Sequence, residues 1–458
     1  MPEVGWALPH GSASPEDVRE RCRALGVRRV QLQFTDILGV VKHVLIPATQ
    51  VDKALGGRVV VDGSALEGFV RTREADMHLR ADPRTFCTYP WKASPRDGGA
   101  GGGTARLICD LYGLDGVPFP GDPRHALGRA CAAAAERGYT VMVGTEPEFF
   151  LFQRDSAGKP TTETSDPSSY FDTAPLDVGE AVREEIVSSL EDMGFGVESS
   201  HHEAAPAQHE IDFRREDALA AADDLITFRL VARTVAAARG LHATFMPKPL
   251  ADVNGSGLHL HLSLFRGEEN AFHDPSTPDQ LSRVARQFLA GVLVHARGFT
   301  ALTNPLVNSY KRLVPGYEAP IYATWSQRDH SPLLRVPAQR GASTRIELRS
   351  PDPACNPYIA LAAIICSGLD GLDQEMEPPR QAGSVVYRMS SEERRDLGIV
   401  PLPENLEEAL GAMETDEVVQ RAVGEHIAAR FTEAKRIEWD YYRRQVHRWE
   451  IEQYLSAF

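Results

Sequence analysis

Between Gly257 and Leu264 the chain reads Gly-Leu-His-Leu-His-Leu-Ser-Leu, with apolar and polar residues in strict alternation. A strand repeats every two residues, so His259, His261 and Ser263 share one face and the leucines the other. Arg345-Ile346-Glu347-Leu348-Arg349 has the same form, with three charges on one face and two aliphatic side chains on the other. Taken alone, that segment fits a wet edge strand as well as a wall lining a cavity for anions and a metal. Val30, Leu32 and Phe34 also alternate with polar residues, and Val40–Ile46 follows as a hairpin partner. Ala105–Tyr112 is a further strand.

Helix signals are equally local. Ser14, Pro15 and Asp17 mark a helix start and Gly26 its stop. Asp122 caps a second helix, with Pro123 at its first position and Gly138 at its end. Further helices are predicted near residues 177–193, 216–239, 278–297 and 356–372, with strands between them. Residues 403–458 are helical almost throughout and end in Trp449, Ile451, Tyr454, Leu455 and Phe458, an apolar tail expected to dock on the core or on a neighbouring subunit. The Gly- and Pro-rich stretch 113–121 is the expected domain boundary. The fold class is therefore α+β: a flexible N-terminus over 1–14, a small unit of short strands over 15–112, and a larger unit over 113–458. The glycine run from Gly98 to Gly103 has no phosphate-loop lysine after it and reads as a surface connection.

At 458 residues with 42% hydrophobic and 25% charged content, the chain has the balance of an ordinary soluble protein. Sixty-four acidic against 49 basic residues leave a net charge of −15, which argues against a nucleic-acid or anionic-membrane partner. Cys22, Cys87, Cys109, Cys131, Cys355 and Cys366 are scattered, with no CxxC pair and no zinc spacing. With no signal sequence and no apolar run of membrane-spanning length, a cytoplasmic location is expected.

The chemistry lies in the acids. Glu146-Pro147-Glu148 opens a strand that continues Phe149-Phe150-Leu151-Phe152, which suggests carboxylates buried at the strand's mouth and in need of cations. His201-His202-Glu203 and Gln208-His209-Glu210 bring two more acids seven residues apart around a turn. Glu146, Glu148, Glu203, Glu210 and Glu347 with His259 form a donor set suited to Mg²⁺ or Mn²⁺, not Zn²⁺, and large enough for two ions. Two divalent ions beside several arginines are the kit for phosphoryl transfer, and no P-loop, GxSxG or HExxH motif competes with that reading.

These segments, in this order, resemble class I glutamine synthetase, the form common in bacteria. The resemblance runs through Phe34-Thr35-Asp36-Ile37-Leu38-Gly39, Val61-Asp62-Gly63-Ser64, Met246-Pro247-Lys248-Pro249, Asn254-Gly255-Ser256-Gly257, Asn308-Ser309-Tyr310-Lys311-Arg312, Gly316-Tyr317-Glu318-Ala319-Pro320 and Asn356-Pro357-Tyr358. It implies an N-terminal β-grasp domain, a catalytic domain built on a curved antiparallel sheet with helices, and a dodecamer of two hexameric rings. It also implies ATP and two or more Mg²⁺ or Mn²⁺ ions, one held by Glu148, Glu203 and Glu210, the other by Glu146, His259 and Glu347. Arg312 and Arg349 would bind glutamate, with Asn254 and Gly255 shaping that pocket. Arg335 and Arg345 would face the ATP phosphates, and His261 and Ser263 the nucleotide. Asp62 from a neighbouring subunit, Tyr170 and Glu203 would form the ammonium site, and Glu318 a flap over the intermediate.

The sequence departs from the family pattern at three places. Ala65 stands where a second serine follows Asp-Gly-Ser, which leaves room for an amine bearing carbon. Ala207 replaces a glycine between two metal glutamates. His330 replaces an arginine aimed at the transferred phosphate, with Arg328 as a possible substitute. Arg71 resembles an arginine tied to feedback inhibition in one subclass, and reads equally as an exposed loop residue. The expected activity is ATP-dependent ligation of ammonia to glutamate. The alternatives are a γ-glutamyl ligase for an organic amine and a catalytically weakened sensor or scaffold.

Overall fold

The computed structural model describes residues 13–63, 76–92, 103–329, 331–381, 386 and 389–458. The expectations for the N-terminus up to residue 12, Ala65, Arg71, the glycine run up to residue 102 and His330 lie outside those residues.

The small unit begins with helix α1 (Pro15–Ala24), where Ser14 and Asp17 cap each other reciprocally. Strands β1 (Arg29–Thr35) and β2 (Val41–Pro47) form the expected hairpin, and after α2 (Val51–Leu55) come β3 (Val59–Asp62), β4 (Asp76–Ala81), β5 (Cys87–Thr88) and β6 (Thr104–Gly113). The sheet runs β2-β1-β6-β4-β3, with β1 and β6 parallel. Strand β1 is buried on both faces, because its alternate polar residues are covered as well: Gln33 Nε2 donates to the Tyr89 hydroxyl at 2.7 Å.

The larger unit follows with α3 (Pro123–Glu136), β7 (Thr140–Gln153), α4 (Glu180–Asp192), β8 (Val197–His202), β9 (Gln208–Asp217) and α5 (Ala218–Ala238). Then come β10 (Leu241–Thr244), β11 (Leu258–Arg266), β12 (Glu269–Asn270), α6 (Arg283–Val294) and α7 (Ala296–Thr303). Short strands β13 (Tyr322–Ala323), β14 (Trp325–Ser326), β15 (Leu334–Arg335) and β16 (Ile346–Leu348) lead into α8 (Pro357–Asp373). The chain closes with α9 (Ser391–Asp396), β17 (Val400–Pro401), α10 (Leu406–Thr415), α11 (Glu417–Val423), α12 (Glu425–Tyr442) and α13 (Arg448–Tyr454).

The central sheet has the order β14-β15-β16-β11-β7-β9-β8, antiparallel from β15 to β8. Helices cover one face. Helix α8 is apolar all round and sits at the middle of the core, where Gly371 and Gly291 let α6 and α8 touch; a Cβ on Gly371 would stand 2.1 Å from the Gln287 carbonyl. The predicted helix over 278–297 is in fact two. It starts after Ser282, whose hydroxyl caps Ala285, and breaks at His295, whose ring is held by Asp416 at 2.8 Å and Asp370 at 3.1 Å. Those partners lie far along the chain, so no local pattern announces the break. The apolar tail does not dock on the core of its own chain: Trp449 is 60% and Leu455 76% exposed.

Several contacts join the units, among them the packing of Cys87 and Tyr89 against Phe149 and Phe228. The β1–β2 tip inserts Ile37 into the main core, and Asn356 Nδ2 donates to the carbonyls of Asp36 and Ile37 at 3.1 and 3.2 Å. Nearby, buried Arg124 of α3 reaches Asp82 and Asp110 of the small unit and both carboxylate oxygens of Asp223 on α5, at 2.8–2.9 Å.

Candidate active site

Strand β11 carries the alternation read from the sequence: Leu258, Leu260, Leu262 and Leu264 are at most 1% exposed in the core, and His259 and His261 look to the other face. Strand register sets their neighbours. His261 stands opposite Glu347 of β16, His259 opposite Glu146 of β7, Glu148 opposite Glu210 of β9, and Glu210 opposite His201 of β8. Residues directly opposite share a face, so one row of acids and imidazoles crosses five strands. It faces a cavity of about 930 Å³ whose lining includes Arg312, Arg335, Arg349, Asn254 and the 315–319 segment.

Within the row the charges divide in two. Glu146, although buried, is held well below the usual carboxylate range by hydrogen bonds with His259 at 3.3 Å and His261 at 2.6 Å. Glu347 is likewise lowered against its burial by His259 and the arginines; it accepts from Arg335 and Arg349 at 2.5 Å each. Burial pushes the His259 imidazole down. On the other side, burial and the Glu203 charge raise Glu148 to about 8, and burial with Glu148 raises Glu210 well above its ordinary value. Glu148 is fixed all the same, accepting from Gln208 Nε2 at 2.6 Å and the Gly257 amide at 3.0 Å.

Candidate ligand atoms gather in three overlapping groups, Glu146–His259–Glu347, Glu148–Glu210–His259 and His201–Glu203–Glu210, each within 4.8 Å. These residues fit divalent metal. Carboxylates opposite one another repel, and Glu148 and Glu210 relieve that only by holding protons; a hard cation among them restores the charged form with oxygen donors. The second predicted trio stands together as expected. The first is spread over two groups: Glu210 is common to both, and Glu203 turns toward His201, its Oε1 2.8 Å from Nε2. His201 was quoted in the motif but not foreseen as part of the cluster; its place one strand face from Glu203 was the available signal.

Arg312 is locked by backbone, donating to the carbonyls of Ser350, Pro351 and Arg349, and the Nε of Arg349 is buried without a hydrogen-bond partner. Asn254 Nδ2 donates to Glu318 at 3.1 Å, the Lys248 ammonium lies 3.8 Å from the Tyr317 ring centre, and Glu318 holds a left-handed φ of 57°. Gly255 and Tyr170 line the cavity as expected. Asp62 does not: it is exposed at the end of β3, opposite Asp76. Nor do His261, Ser263 and Arg345. His261 is turned to Glu146, and Arg345 Nε donates to His261 at 3.1 Å. Arg328, the possible substitute for an arginine at 330, is exposed and outside the lining, which Asp329 and Ser331 share instead.

The profile for the glutamine synthetase β-grasp domain matches residues 26–113, and that for the glutamine synthetase catalytic domain residues 120–454. The chain belongs to the glutamine synthetase family. It is 53% identical over 452 residues to a glutamine synthetase of Staphylococcus aureus, covering 98% of this chain and all of that one, and 52% identical to one from Staphylococcus epidermidis, with the same coverage. A solved GmaS–ADP complex superposes with a TM-score of 0.86 at 34% identity, over 96% of this chain and all of the other. A Plasmodium falciparum glutamine synthetase, at 24% identity and TM-score 0.85 over 98% of this chain and all of the other, shares the fold. The small sheet is thus the β-grasp domain of the family, and the row of acids lies in its catalytic domain.

Proposed function

We propose that the chain joins ammonia to the γ-carboxylate of L-glutamate at the expense of ATP, through a γ-glutamyl phosphate. The row of acids from Glu347 to His201, in one cavity with Arg312, Arg335 and Arg349, the last two donating to Glu347, carries this reading. One Mg²⁺ or Mn²⁺ would be held by Glu148, Glu203 and Glu210, and another by Glu146, His259 and Glu347. Such ions, when bound, neutralise phosphate charge and orient the transferred group.

The chain's own residues do the rest. Arg312 and Arg349 hold the substrate carboxylates, with Asn254 and Gly255 closing around the amino-acid end. Arg335 in the cavity wall offsets phosphate charge; the roles of Arg345, His261 and Ser263 toward the nucleotide rest on the family resemblance, since none of the three lines the cavity. A γ-carboxylate oxygen attacks the terminal phosphorus as the bond to ADP breaks. Asp62 of an adjacent subunit takes a proton from ammonium held by Tyr170 and Glu203. The freed ammonia attacks the carbonyl carbon, and phosphate leaves. Glu318 keeps water from the acyl phosphate.

Asp62 lies away from the cavity of its own chain, and Trp449, Leu455 and Phe458 are exposed; both support a homo-oligomer, as a dodecamer of two hexameric rings. Six free cysteines suit a reducing cytoplasm, and among the described residues no helix is long and apolar enough to cross a membrane. We take 15–112 and 113–458 as the two domains.

Phosphate release and amide formation from glutamate and ATP, measured with ammonium, methylamine, ethanolamine and putrescine, test the proposal. Ammonium is expected to give the highest rate. An equal or greater rate with an alkylamine would replace ammonia as the donor, the alternative raised by an alanine at 65 in place of the family's serine; background rates with every amine would leave the sensor reading.

A further inference from the structure

Behind the row of acids lies a second polar cluster that the reaction above does not use. Asp166, Asp177, Arg183, His202 and His209 are all buried. His202 alternates with His201 on β8: His201 faces the cavity and His202 the opposite side. His202 Nε2 stands 3.2 Å from Asp166 and Nδ1 2.6 Å from the Glu203 carbonyl. Arg183 on α4 donates to Asp177 at 2.6 Å and meets His209 Nδ1 at 2.9 Å. Four of these residues bring ligand atoms within 4.8 Å of one another, but a metal does not fit. Arg183 has only donors, so His209 Nδ1 must accept, and its proton then sits on Nε2 and blocks ligation there.

The cluster's position along the chain points elsewhere. Asp166 and Asp177 are the two feet of one loop, and the middle of that loop carries Tyr170 and Phe171 to the cavity mouth. Their ring centroids lie 3.9 Å apart with the planes tilted by 36°, and both pack on His201, at 5.5 and 4.9 Å. Phe171 sits at a φ of +63°, a conformation that side chains with a Cβ resist, and is held there by its amide donating to the His202 carbonyl at 3.1 Å. An aromatic residue kept in that state needs both ends of its loop tied down.

We propose that the buried pairs Asp166–His202 and Asp177–Arg183 form a double clamp that positions Tyr170 and Phe171 over the nitrogen-donor end of the cavity. This rests on the function proposed above. Asp166, Asp177 and Arg183 are positioning residues: they touch no substrate, and they set the affinity for ammonium rather than for glutamate or ATP. Phe171 narrows the entry and so favours the small donor.

The assembled, metal-loaded protein and its Asp166→Ala, Asp177→Ala and Asp166→Asn variants test this by steady-state kinetics and by hydrogen exchange of residues 166–177. Either alanine variant is expected to raise the KM for ammonium about tenfold, leave the KM for glutamate and ATP within about twofold, and speed exchange in the loop about tenfold. Asp166→Asn keeps an acceptor for His202 and is expected to stay within about threefold of the parent. Should an alanine variant not assemble, Phe171→Gly leaves every buried charge in place and is expected to show the same rise for ammonium alone. Parallel rises in all three KM values, an unchanged ammonium KM, or unchanged exchange would overturn the clamp. If the parent forms no amide from ammonium, the proposed function fails and the donor-end assignment with it; the exchange experiment still decides whether the loop is clamped.

Discussion

Replacing Arg124 with methionine keeps most of the side-chain volume and takes one shared cation from three carboxylates. In the parent, Asp82, Asp110 and Asp223 each accept from this one guanidinium, which is only 4% exposed. Removing one partner of a buried ion pair costs about 3–5 kcal/mol, because the remaining charge has neither water nor partner. Asp82 gives a partial check. Burial raises it, but Arg84 and Arg124 outweigh that and bring it from 3.8 down to about 2, worth roughly 2–3 kcal/mol. Its folded value lies below its unfolded one, so this share is full above about pH 4 and is lost as the pH falls toward 2. In Arg124→Met the buried Asp223 carboxylate is left with the Tyr358 hydroxyl and no cation, and burial without a cation disfavours the charged form. Protonation then favours the folded state, and the penalty shrinks as the pH drops. Melting of the assembled protein should fall by about 6–20 °C at pH 7.5, taking 2–4 °C per kcal/mol, and by clearly less at pH 5.5. A loss under about 3 °C, or the same loss at both pH values, would refute the reasoning.

Three further outcomes follow from the same structure. Ala207 has a φ of 62° and packs with Phe150 and Phe152, so Ala207→Gly relieves about 1–2 kcal/mol of strain but loses about 0.8 kcal/mol of methyl burial and about 0.5–1 kcal/mol of chain entropy; a melting change under about 3 °C is expected. Calorimetry of Mn²⁺ binding to metal-free protein at pH 7 should reveal proton release, since Glu148, at about 8, holds its proton there; Glu148→Gln should reduce it. His295 is raised, Asp416 and Asp370 outweighing burial, so its stabilisation is full below about pH 6.5 and lost as the pH climbs through the folded value; a pH series of melts should lose that slope in His295→Gln.

Features written in short-range pattern were legible in the sequence. The alternation of β11 and the capping residues of α1 and α3 follow from spacing, and their faces are those the strand and helix periods require; Glu146 and Glu148, expected to open a strand, stand instead in the middle of β7, which begins at Thr140. Partnerships across the chain were not legible. The break at His295 depends on Asp370 and Asp416, and the covered polar face of β1 depends on Tyr89. Ala207 was suspect as a stand-in for glycine, but only its observed φ of 62° makes the strain real. The Asp166–His202 and Asp177–Arg183 pairs left no sign, because an acid in a loop looks the same in sequence whether it is solvated or buried. Asp62 lies on a different sheet from the row of acids, and no single chain brings the two together.

Strand β11 serves the core with one side and the cavity with the other, and this makes its length unforgiving. Deleting one residue between Leu258 and Arg266 would turn everything beyond the cut through half a turn, moving leucines into the row of acids and polar side chains into the aliphatic interior. Folding and catalysis would fail together. The exposed connection around Gly158 has no such double duty and should absorb additions freely. A library of single-codon deletions and insertions would therefore trace the strand as a silent gap between tolerant neighbours.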